Sequence, residues 1–289
     1  MLDPVFILIQ LLNGVQYGLL LFLIASGLTL IFGIMGVINL AHGSFYMIGA
    51  YLALSLTQFT GNLFLAVVLG IPIAIVLGLI VERLLITHLY DRDHLYQVLL
   101  TFGLILIFNE LQSVIWGDDP HGVPIPEILN GALPLTDVLS YPYYRIFVSL
   151  ACLALAVGMY FVIQRTRLGM MIRAGASNRE MVETLGINIR LLYAVVFSIG
   201  ITLAAVAGML AAPIESVYPG IGEQVLIICF VVVVIGGIGS IKGAFLGALA
   251  IGIADVFGQA FVPEFASVAV YALMAVVLIW RPSGLFGRS

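Results

Sequence analysis

Residues 5–33 read VFILIQLLNGVQYGLLLFLIASGLTLIFG, an unbroken run without a single charged side chain. A helix needs about 20 predominantly apolar residues to cross the hydrocarbon core of a bilayer. The stretch therefore predicts a membrane-spanning helix. Its start, Met1-Leu2-Asp3-Pro4, is acidic, and no small-residue cleavage pattern follows, so we expect the helix to be retained rather than removed as a secretory signal.

The rest of the chain has the same character. Of its 289 residues, 62% are hydrophobic and 9% are charged, whereas about a quarter of a soluble domain is charged. So few charges cannot cover a soluble surface of this size, which leaves lipid as the expected surroundings. The net charge of -4 and the absence of a basic run indicate no nucleic-acid partner. Cys152 and Cys229 lie in apolar stretches and are expected to be small buried side chains.

Clusters of charged residues, Pro and Gly divide the chain into nine apolar segments. The predicted fold class is all-α, a polytopic transmembrane helix bundle of about eight to ten spans in one domain, residues 1–289. The seventh segment contains Gly236-Gly237-Ile238-Gly239, a pattern typical of a broken or re-entrant helix. The segments are 5–33, 40–59, 62–82, 96–116, 144–164, 191–213, 224–241, 243–262 and 266–281.

The distribution of Lys and Arg predicts the orientation, because cytoplasmic loops accumulate these residues. With the N-terminus outside and the C-terminus in the cytoplasm, only Arg145 lies outside. The other basic residues then face the cytoplasm: Arg83, Arg92, Arg165, Arg167, Arg173, Arg179, Arg190, Lys242, Arg281 and Arg288. The longest outer connection is an extracytoplasmic loop at about 117–143, and the outer carboxylates are Asp118, Asp119, Glu127, Asp137, Glu215, Glu223 and Glu264.

The longest basic connection, at about 165–190, is predicted to contain a short helix. Ser177 and Glu180 match an S-x-x-E capping box, and Gly186 suits a C-terminal stop. Met181, Val182 and Leu185 supply an apolar side. Two turns of helix are not stable alone in water. The segment therefore packs either on the membrane surface or on a partner protein.

A glycine-rich pattern occurs twice, as GVINLAHGSF at 36–45 and as GSIKGAF at 239–245. Both copies fall where one span ends and another begins, with His42 and Lys242 in corresponding positions near the inner interface. The glycines either serve tight helix packing or line a central pathway, where broken helices expose backbone groups to a polar substrate. Under the second interpretation, the pathway residues are Asn39, His42, Gly43, Ser44, Gly236, Gly237, Gly239 and Ser240.

Three stretches together resemble the permease subunits of bacterial branched-chain amino acid ABC transporters, the LivH-like group. They are GLTLIFGIMGVINLAHGSFYMIGAY at 27–51, TRLGMMIRAGASNREMVETLGIN at 166–188 and VIGGIGSIKGAFLGALAIGIAD at 234–255. The closing RPSGLFGR at 281–288 is also similar to the end of the family, and the likeness covers nearly the whole chain. Ser44 departs from the pattern, because close relatives often carry a carboxylate after Ala-His-Gly.

The resemblance implies a multi-pass subunit in the bacterial inner membrane that imports branched-chain amino acids by alternating access. The implied partners are a second permease subunit, cytoplasmic ATPase subunits that bind the ATP, and a periplasmic or surface binding protein. The chain itself would need no cofactor and no metal. The loop at 166–188 resembles the segment that couples to the ATPase, which assigns that role to Arg173, Ser177, Glu180, Met181, Leu185 and Gly186.

Other functions stay open from the residues alone. Related permeases would carry urea or short amides, and an ion-coupled secondary transporter would use Glu110 and Asp255 as intramembrane carboxylates. A membrane enzyme would need a cluster of catalytic or metal-binding side chains, but His42, His88, His94 and His121 are scattered. We expect no ATP site, because the only lysine, Lys242, is followed by Gly243 instead of the Ser or Thr of a P-loop.

Overall fold

The computed structural model describes residues 4–90, 92–136 and 139–287, so the predicted positions of Met1-Leu2-Asp3, Asp137 and Arg288 lie outside the described residues. The described chain is a helix bundle with one small antiparallel hairpin. Its helices are α1 Pro4–Met35, α2 His42–Thr60, α3 Leu63–Leu84, α4 His94–Trp116, α5 Tyr143–Arg165, α6 Arg167–Ser177, α7 Arg179–Thr184, α8 Ile189–Ala211, α9 Ile221–Gly236, α10 Ile241–Phe261 and α11 Ala266–Trp280. The hairpin pairs β1 Ala132–Pro134 with β2 Ser140–Pro142, and single 3-10 turns occur at Ile86–Leu89, Glu127–Leu129 and Pro263–Phe265.

Helix α1 forms the centre of the bundle. Every residue from Gly18 to Ile31 is buried, and α1 lies against α8, α9 and α10. Glycine permits the closest of these contacts: a Cβ placed on Gly27 would collide with the backbone carbonyl of Gly200 in α8. Small residues at a crossing allow two helix backbones to approach this closely. The glycines of α1 thus determine how tightly the core packs.

The remaining helices form an inner and an outer group. Helices α2 and α8 are largely buried and pack on each other. In contrast, α3, α4 and α5 bury less than a third of their spanning windows, with apolar side chains on the outside. Exposed apolar surface of this extent suits lipid or a partner protein. These helices therefore form the perimeter of the bundle.

Each of the nine predicted segments contains a helix, which confirms the all-α bundle. Among the described residues, six helices are long and apolar enough to cross a membrane: α1, α3, α4, α5, α8 and α10. Helix α2 is an interior helix of lower hydropathy, and α9 and α11 are shorter, so a total of nine spans stays a prediction. The predicted limit of 224–241 was wrong, because α9 begins at Ile221 and ends at Gly236. Gly237 and Gly239 adopt positive φ angles that stop the helix.

The connections between helices gather at two ends, as an alternating bundle requires. At one end, the Ile38 amide donates to the Gln97 side chain near the start of α4, and the Leu285 amide donates to the Ile235 carbonyl. At the other end, His121 and Val217 exchange backbone hydrogen bonds of 2.8 Å, which tie the 117–142 loop to the connection between α8 and α9. We call these the inner and outer ends; which of them faces the cytoplasm stays a prediction.

Candidate functional site

The first glycine-rich connection, residues 36–41, folds back into the bundle. The Nε2 atom of His42, the first residue of α2, lies 2.9 Å from the carbonyl oxygen of Ile24. Ile24 precedes the end of α1 by eleven residues, which corresponds to about 16 Å of helix. Helix α2 therefore begins well inside the bundle. Irregular backbone at such a depth is tolerated where protein surrounds it.

Two polar side chains of this connection are fully buried. The amide of Asn39 has no hydrogen-bond partner at Nδ2 or Oδ1 among the described residues. His42 donates through Nε2 to the Ile24 carbonyl, and its Nδ1 atom has no described partner. Buried polar groups are usually paired, so the unpaired amide of Asn39 is an exception among the described side chains. The carbonyl can only accept, which assigns the proton of His42 to Nε2.

The other two predicted pathway residues at the start of α2 are also buried. A Cβ on Gly43 would collide with the backbone of Gly222 in α9, so Gly43 sits at a tight helix crossing. Ser44 is buried in the first turn, where its amide donates to the Ala41 carbonyl at 3.0 Å. Gly43 thus has a packing role in this structure, whereas a role for either residue in transport stays a prediction.

In the second glycine-rich connection, the first two glycines pack against backbone. Gly236 lies against Gly243 at the start of α10, and a Cβ on Gly237 would collide with Gly287. The closing segment 281–287 also pairs with the end of α9: the amides of Leu285 and Phe286 donate to the carbonyls of Ile235 and Gly236, at 2.8 and 3.1 Å. The C-terminal segment therefore caps α9, which the sequence did not indicate.

The first two residues of the second pattern, at 239–245, line a cavity at the inner end. Gly239 and Ser240 contribute to a cavity of about 540 Å³ between α1, α5, α6 and α10, together with Thr29, Arg173 and Lys242. Ser240 also caps α10, since its hydroxyl oxygen accepts from the Gly243 amide at 3.1 Å. The expected correspondence of His42 and Lys242 is only partial, because His42 is buried and Lys242 is exposed.

The two glycine-rich connections approach each other. A gap of about 50 Å³ separates them, lined by Ile38 from the first, Ile238 from the second and apolar residues of α1 and α9. The first connection leads to the buried imidazole of His42 near the middle of α1, and the second borders the inner cavity. The structure thus brings both predicted groups of pathway residues to the inner half of α1.

The predicted coupling loop holds two helices rather than one, α6 and α7. Ser177 does not cap α7, as the sequence suggested, but is the last residue of α6. The cap is Asn178, whose side chain accepts from the Met181 amide at 2.9 Å. Gly186 has a φ of 81° and its amide donates to the Glu183 carbonyl, so the predicted stop at Gly186 is confirmed.

Helix α7 presents apolar side chains outward. Val182 is 2% exposed and anchors the helix to the bundle, whereas Met181 and Leu185 are 58% and 72% exposed. Of the three residues predicted to form one apolar side, Val182 thus faces the bundle, whereas Met181 and Leu185 face away from it. Glu180, from the predicted capping box, is exposed in the first turn. The segment of α7 and its C-cap Leu185 thus has one anchored side and one exposed apolar side.

A chain of side chains connects α7 to α3. The guanidinium of Arg179 lies 5.5 Å from the centre of the Tyr193 ring in α8, and Tyr193 meets Tyr90 edge to face at 5.0 Å. The hydroxyl of Tyr90 donates to the buried carboxylate of Glu82. Burial, followed by this contact with Glu82, raises the pKa of Tyr90 well above its ordinary value. Glu82 was not among the predicted site residues, although a carboxylate within an apolar segment was a signal for it.

Arg173 binds the α6 helix back onto α5. Its guanidinium donates to the carbonyl of Ile163, while Thr166 caps α6 by accepting from the Gly169 amide at 3.2 Å. Gly169 lies so close to the Ile163 carbonyl that a Cβ would collide with it. The turn from α5 into α6 is therefore tight, and a push on α6 would act directly on α5.

The two carboxylates proposed for ion coupling do not meet. Glu110 is exposed on α4. Asp255 on α10 is buried and accepts from the Gln259 amide at 2.7 Å. Helix α4 packs against α2 and α10 against α1, α9 and α11. The described geometry gives no pair of intramembrane carboxylates at these positions.

The outer end carries a carboxylate of its own. Glu215, between α8 and α9, accepts from the Tyr46 hydroxyl at 3.4 Å. Glu215 is solvent-accessible, yet the surrounding helices desolvate it enough to raise its pKa, with Tyr46 and Arg145 acting in the opposite direction.

No group of three or more metal-ligating side chains occurs in 4–90, 92–136 and 139–287.

Comparisons with known proteins agree with these features. Residues 10–278 match the family described as branched-chain amino acid transport system, permease component. The branched-chain amino acid permease protein BraD of Pseudomonas aeruginosa is 35% identical over 96% of this chain and 95% of its own length. The Escherichia coli permease protein LivH is 33% identical over 96% of this chain and 95% of its own.

A further Escherichia coli permease protein, LivM, is 28% identical over 91% of this chain and 67% of its own length. No solved structure matches the chain significantly. The family match covers most of the sequence. It confirms the resemblance to branched-chain amino acid permeases that the stretches 27–51, 166–188 and 234–255 indicated. This multi-pass membrane protein belongs to the family of branched-chain amino acid transport system permease components.

Proposed function

We propose that this chain is the membrane-spanning subunit of a binding-protein-dependent ABC importer that carries branched-chain amino acids inward. The observation that carries the proposal is similarity along nearly the whole chain to BraD and LivH, whose names specify this transport. Both glycine-rich connections and the loop with α6 and α7 lie within the matched range 10–278. The same proposal places the protein in the bacterial inner membrane.

The partners follow from the architecture of such importers. A second permease subunit completes the pathway, which is supported by the similarity of this chain to LivM as well as to LivH. ATPase subunits on the cytoplasmic side bind and hydrolyse the ATP, because Lys242-Gly243 does not satisfy the P-loop pattern. A binding protein delivers the substrate at the outer end. We propose that this chain itself has no cofactor and no catalytic site.

The ATPase docks on α7. Met181 and Leu185 supply the apolar contact, because both are exposed while Val182 fixes the helix to the bundle. Movement of α7 reaches the bundle by two routes: through Arg179 and Tyr193 to α8, and through α6 and Arg173 to α5. Glu180 lies on the same short helix, and Asn178 replaces Ser177 as the capping residue.

The pathway passes the start of α2. A free amino acid is a zwitterion, and the unpaired amide of Asn39 offers both a donor and an acceptor. The beginning of a helix inside a membrane protein favours a carboxylate, because the helix dipole is positive there. His42 and Ser44 lie in the same turn. The second connection, with Gly239 and Ser240, borders the inner cavity into which substrate would be released.

Urea or short amides remain the alternative substrates within the same mechanism, since apolar walls and backbone groups do not separate them from amino acids. The ion-coupled carrier is disfavoured by the geometry, because Glu110 is exposed on α4 while the carboxylate of Asp255 on α10 is bound by Gln259. A carrier of that kind would transport without an ATPase. Reconstitution therefore separates the two mechanisms.

The first experiment is purification of the tagged protein from native membranes in mild detergent, with identification of its partners by mass spectrometry. Recovery of an ATPase, a second permease and a binding protein would support the importer. The ligand that copurifies with the binding protein then identifies the substrate. A homo-oligomer without an ATPase that transports leucine in liposomes would overturn the proposal.

The docking surface has its own test. Replacing Met181 and Leu185 together by Asp should prevent copurification of the ATPase while leaving the protein monodisperse, because both side chains are exposed. The matched control is Ile128→Asp, an exposed apolar residue of the outer loop that is 82% accessible. Equal recovery of the ATPase from the double variant and from the control would exclude α7 as the docking surface.

A further inference from the structure

Two apolar grooves run along either side of α5. The first, of about 290 Å³, lies between α5 and α8 and includes Gly158 and Val162 from α5 with Ile199 from α8. The second, of about 340 Å³, lies between α5 and α10 and includes Tyr160 and Phe245. Almost no polar atom lines either groove. Both open toward the outside of the bundle.

The grooves have the length of one membrane leaflet. Along α5, the first groove extends from Ala154 to Ile163, which is about 14 Å at 1.5 Å per residue. Half of a hydrocarbon core is about 15 Å. The grooves reach from the middle of the bundle to its inner end and stop there.

At the inner end, both grooves enter the cavity of about 540 Å³ described above. The first groove shares Leu30, Ile163 and Ile172 with the cavity. The second shares Lys242 and Phe286. The three spaces therefore adjoin one another, and we call them together the depression, with two apolar branches and one polar end.

The polar end is cationic. Arg173 and Lys242 line it, and none of its lining residues is a carboxylate. One donor of Arg173 is bound to the Ile163 carbonyl, which leaves other N–H groups of the guanidinium for a ligand. Two cations with no carboxylate beside them suit a phosphate group.

We propose that this depression binds one anionic diacyl phospholipid. The phosphate lies between Arg173 and Lys242, and one acyl chain occupies each groove beside α5. Charge and shape together identify the occupant: basic pockets between membrane helices suit anionic headgroups, and the two apolar branches suit two chains. A helix of a second permease would fill the grooves but would leave the cations without a partner.

The bound lipid braces α5, which makes few contacts of its own with the bundle. Helix α5 buries 22% of its spanning window, and α6 continues from it through the tight turn at Gly169. Because Arg173 lies on α6, the phosphate would hold α6 in place as well. The lipid thus fills the space between the coupling helices and the core.

Native mass spectrometry of the full-length protein, purified with its accompanying subunits, tests the proposal with added phosphatidylglycerol or phosphatidylethanolamine. The wild type should retain one phosphatidylglycerol in preference. The double variant Arg173→Gln and Lys242→Gln should bind it about 30-fold more weakly, since each cation contributes roughly a factor of five. The control Arg190→Gln removes an exposed cation outside the cavity and should bind normally.

A second pair of variants tests the acyl groove. Gly158→Leu fills the first groove without a clash, because a Cβ at Gly158 meets nothing within 4 Å. This variant should lose the lipid, whereas Gly103→Leu, on α4 and equally open, should keep it. Inorganic phosphate should not displace the lipid from the wild type.

Three results would overturn the proposal. The first is a wild-type complex that carries no phospholipid, which would mean that a partner subunit covers the grooves. The second is equal retention by the wild type and the Arg173 and Lys242 double variant. The third is displacement by inorganic phosphate alone, which would make the site one for a free anion.

Discussion

The imidazole of His42 donates to the backbone carbonyl of Ile24, 18 positions earlier in the chain and 2.9 Å away. The bond joins the start of α2 to the middle of α1, where both residues are buried. It holds the connection 36–41 inside the bundle and so determines where the buried amide of Asn39 lies. The geometry of the proposed pathway depends on this contact.

His42→Ala should destabilise the protein, because it removes a buried ring and leaves a cavity beside α1. The cost is on the order of 2 kcal/mol or more, from the lost hydrogen bond and the lost packing. Thermal unfolding followed by fluorescence-detected size exclusion would measure it. His88→Ala is the control, since His88 is exposed near the same end, and it should unfold like the wild type. Equal unfolding of the two variants would contradict the structural role of His42.

Asn39→Leu should keep the fold but lose uptake. The change replaces an unpaired buried amide by an apolar side chain of similar size, which is neutral or stabilising for folding. If Asn39 contacts substrate, transport of radiolabelled leucine by the whole importer should fall severely while the unfolding temperature does not fall. Normal uptake by this variant would remove Asn39 from the pathway.

Gly186→Val should uncouple the transporter. Gly186 has a φ of 81°, which a β-branched residue adopts only with strain, so α7 would lose its stop. We expect loss of both uptake and substrate-stimulated ATP hydrolysis, with the protein still inserted in the membrane. Gly122→Val, at an open position of the outer loop without a positive φ, is the control. Normal coupling in Gly186→Val would argue against α7 as the docking helix.

Cysteine labelling tests the orientation with little background, because Cys152 and Cys229 are both buried. Ile128→Cys should react with an impermeant maleimide added to intact spheroplasts, since the outer loop is predicted to face outward. Glu180→Cys should react only after the membrane is opened. The reverse pattern would invert the predicted topology and place α7 outside the cell.

Glu215 should make stability dependent on pH. Desolvation raises the pKa of its carboxyl above the ordinary value of 4.5. The protonated form is therefore favoured by folding, and this contribution is present below about pH 4.5 and is lost as the pH rises through the folded-state pKa. Glu215→Gln should gain unfolding temperature relative to the wild type over that interval. A constant difference between the two proteins across the interval would show that Glu215 does not titrate differently on folding.

The sequence predicted the helices well, because apolar length is a strong signal in a membrane protein. It did less well where backbone geometry determined the result. The end of α9 at Gly236 depends on the positive φ of Gly237, and the cap of α7 at Asn178 depends on which of two adjacent polar residues turns back to the helix. Ser177 and Asn178 are both preferred N-cap residues, and the S-x-x-E spacing favoured Ser177, although Asn178 is the cap in the structure.

The pathway residues, too, could be predicted only in part from the sequence. The sequence located both glycine-rich connections, but it could not separate glycines at helix crossings from residues that border a cavity. Gly43 packs on Gly222, whereas Gly239 lines the inner cavity. Long-range partners such as Ile24 for His42 were also inaccessible, because they depend on how far the connection 36–41 folds back into the bundle.

The pairing of residues 285–286 with the end of α9 affects how the protein is made. The carbonyls of Ile235 and Gly236 find their partners in Leu285 and Phe286, about fifty positions later. These two carbonyl groups are therefore synthesised well before the amides that bind them. A chain that ended before residue 285 would contain the whole of α9 and α10 but would leave both carbonyls without these partners.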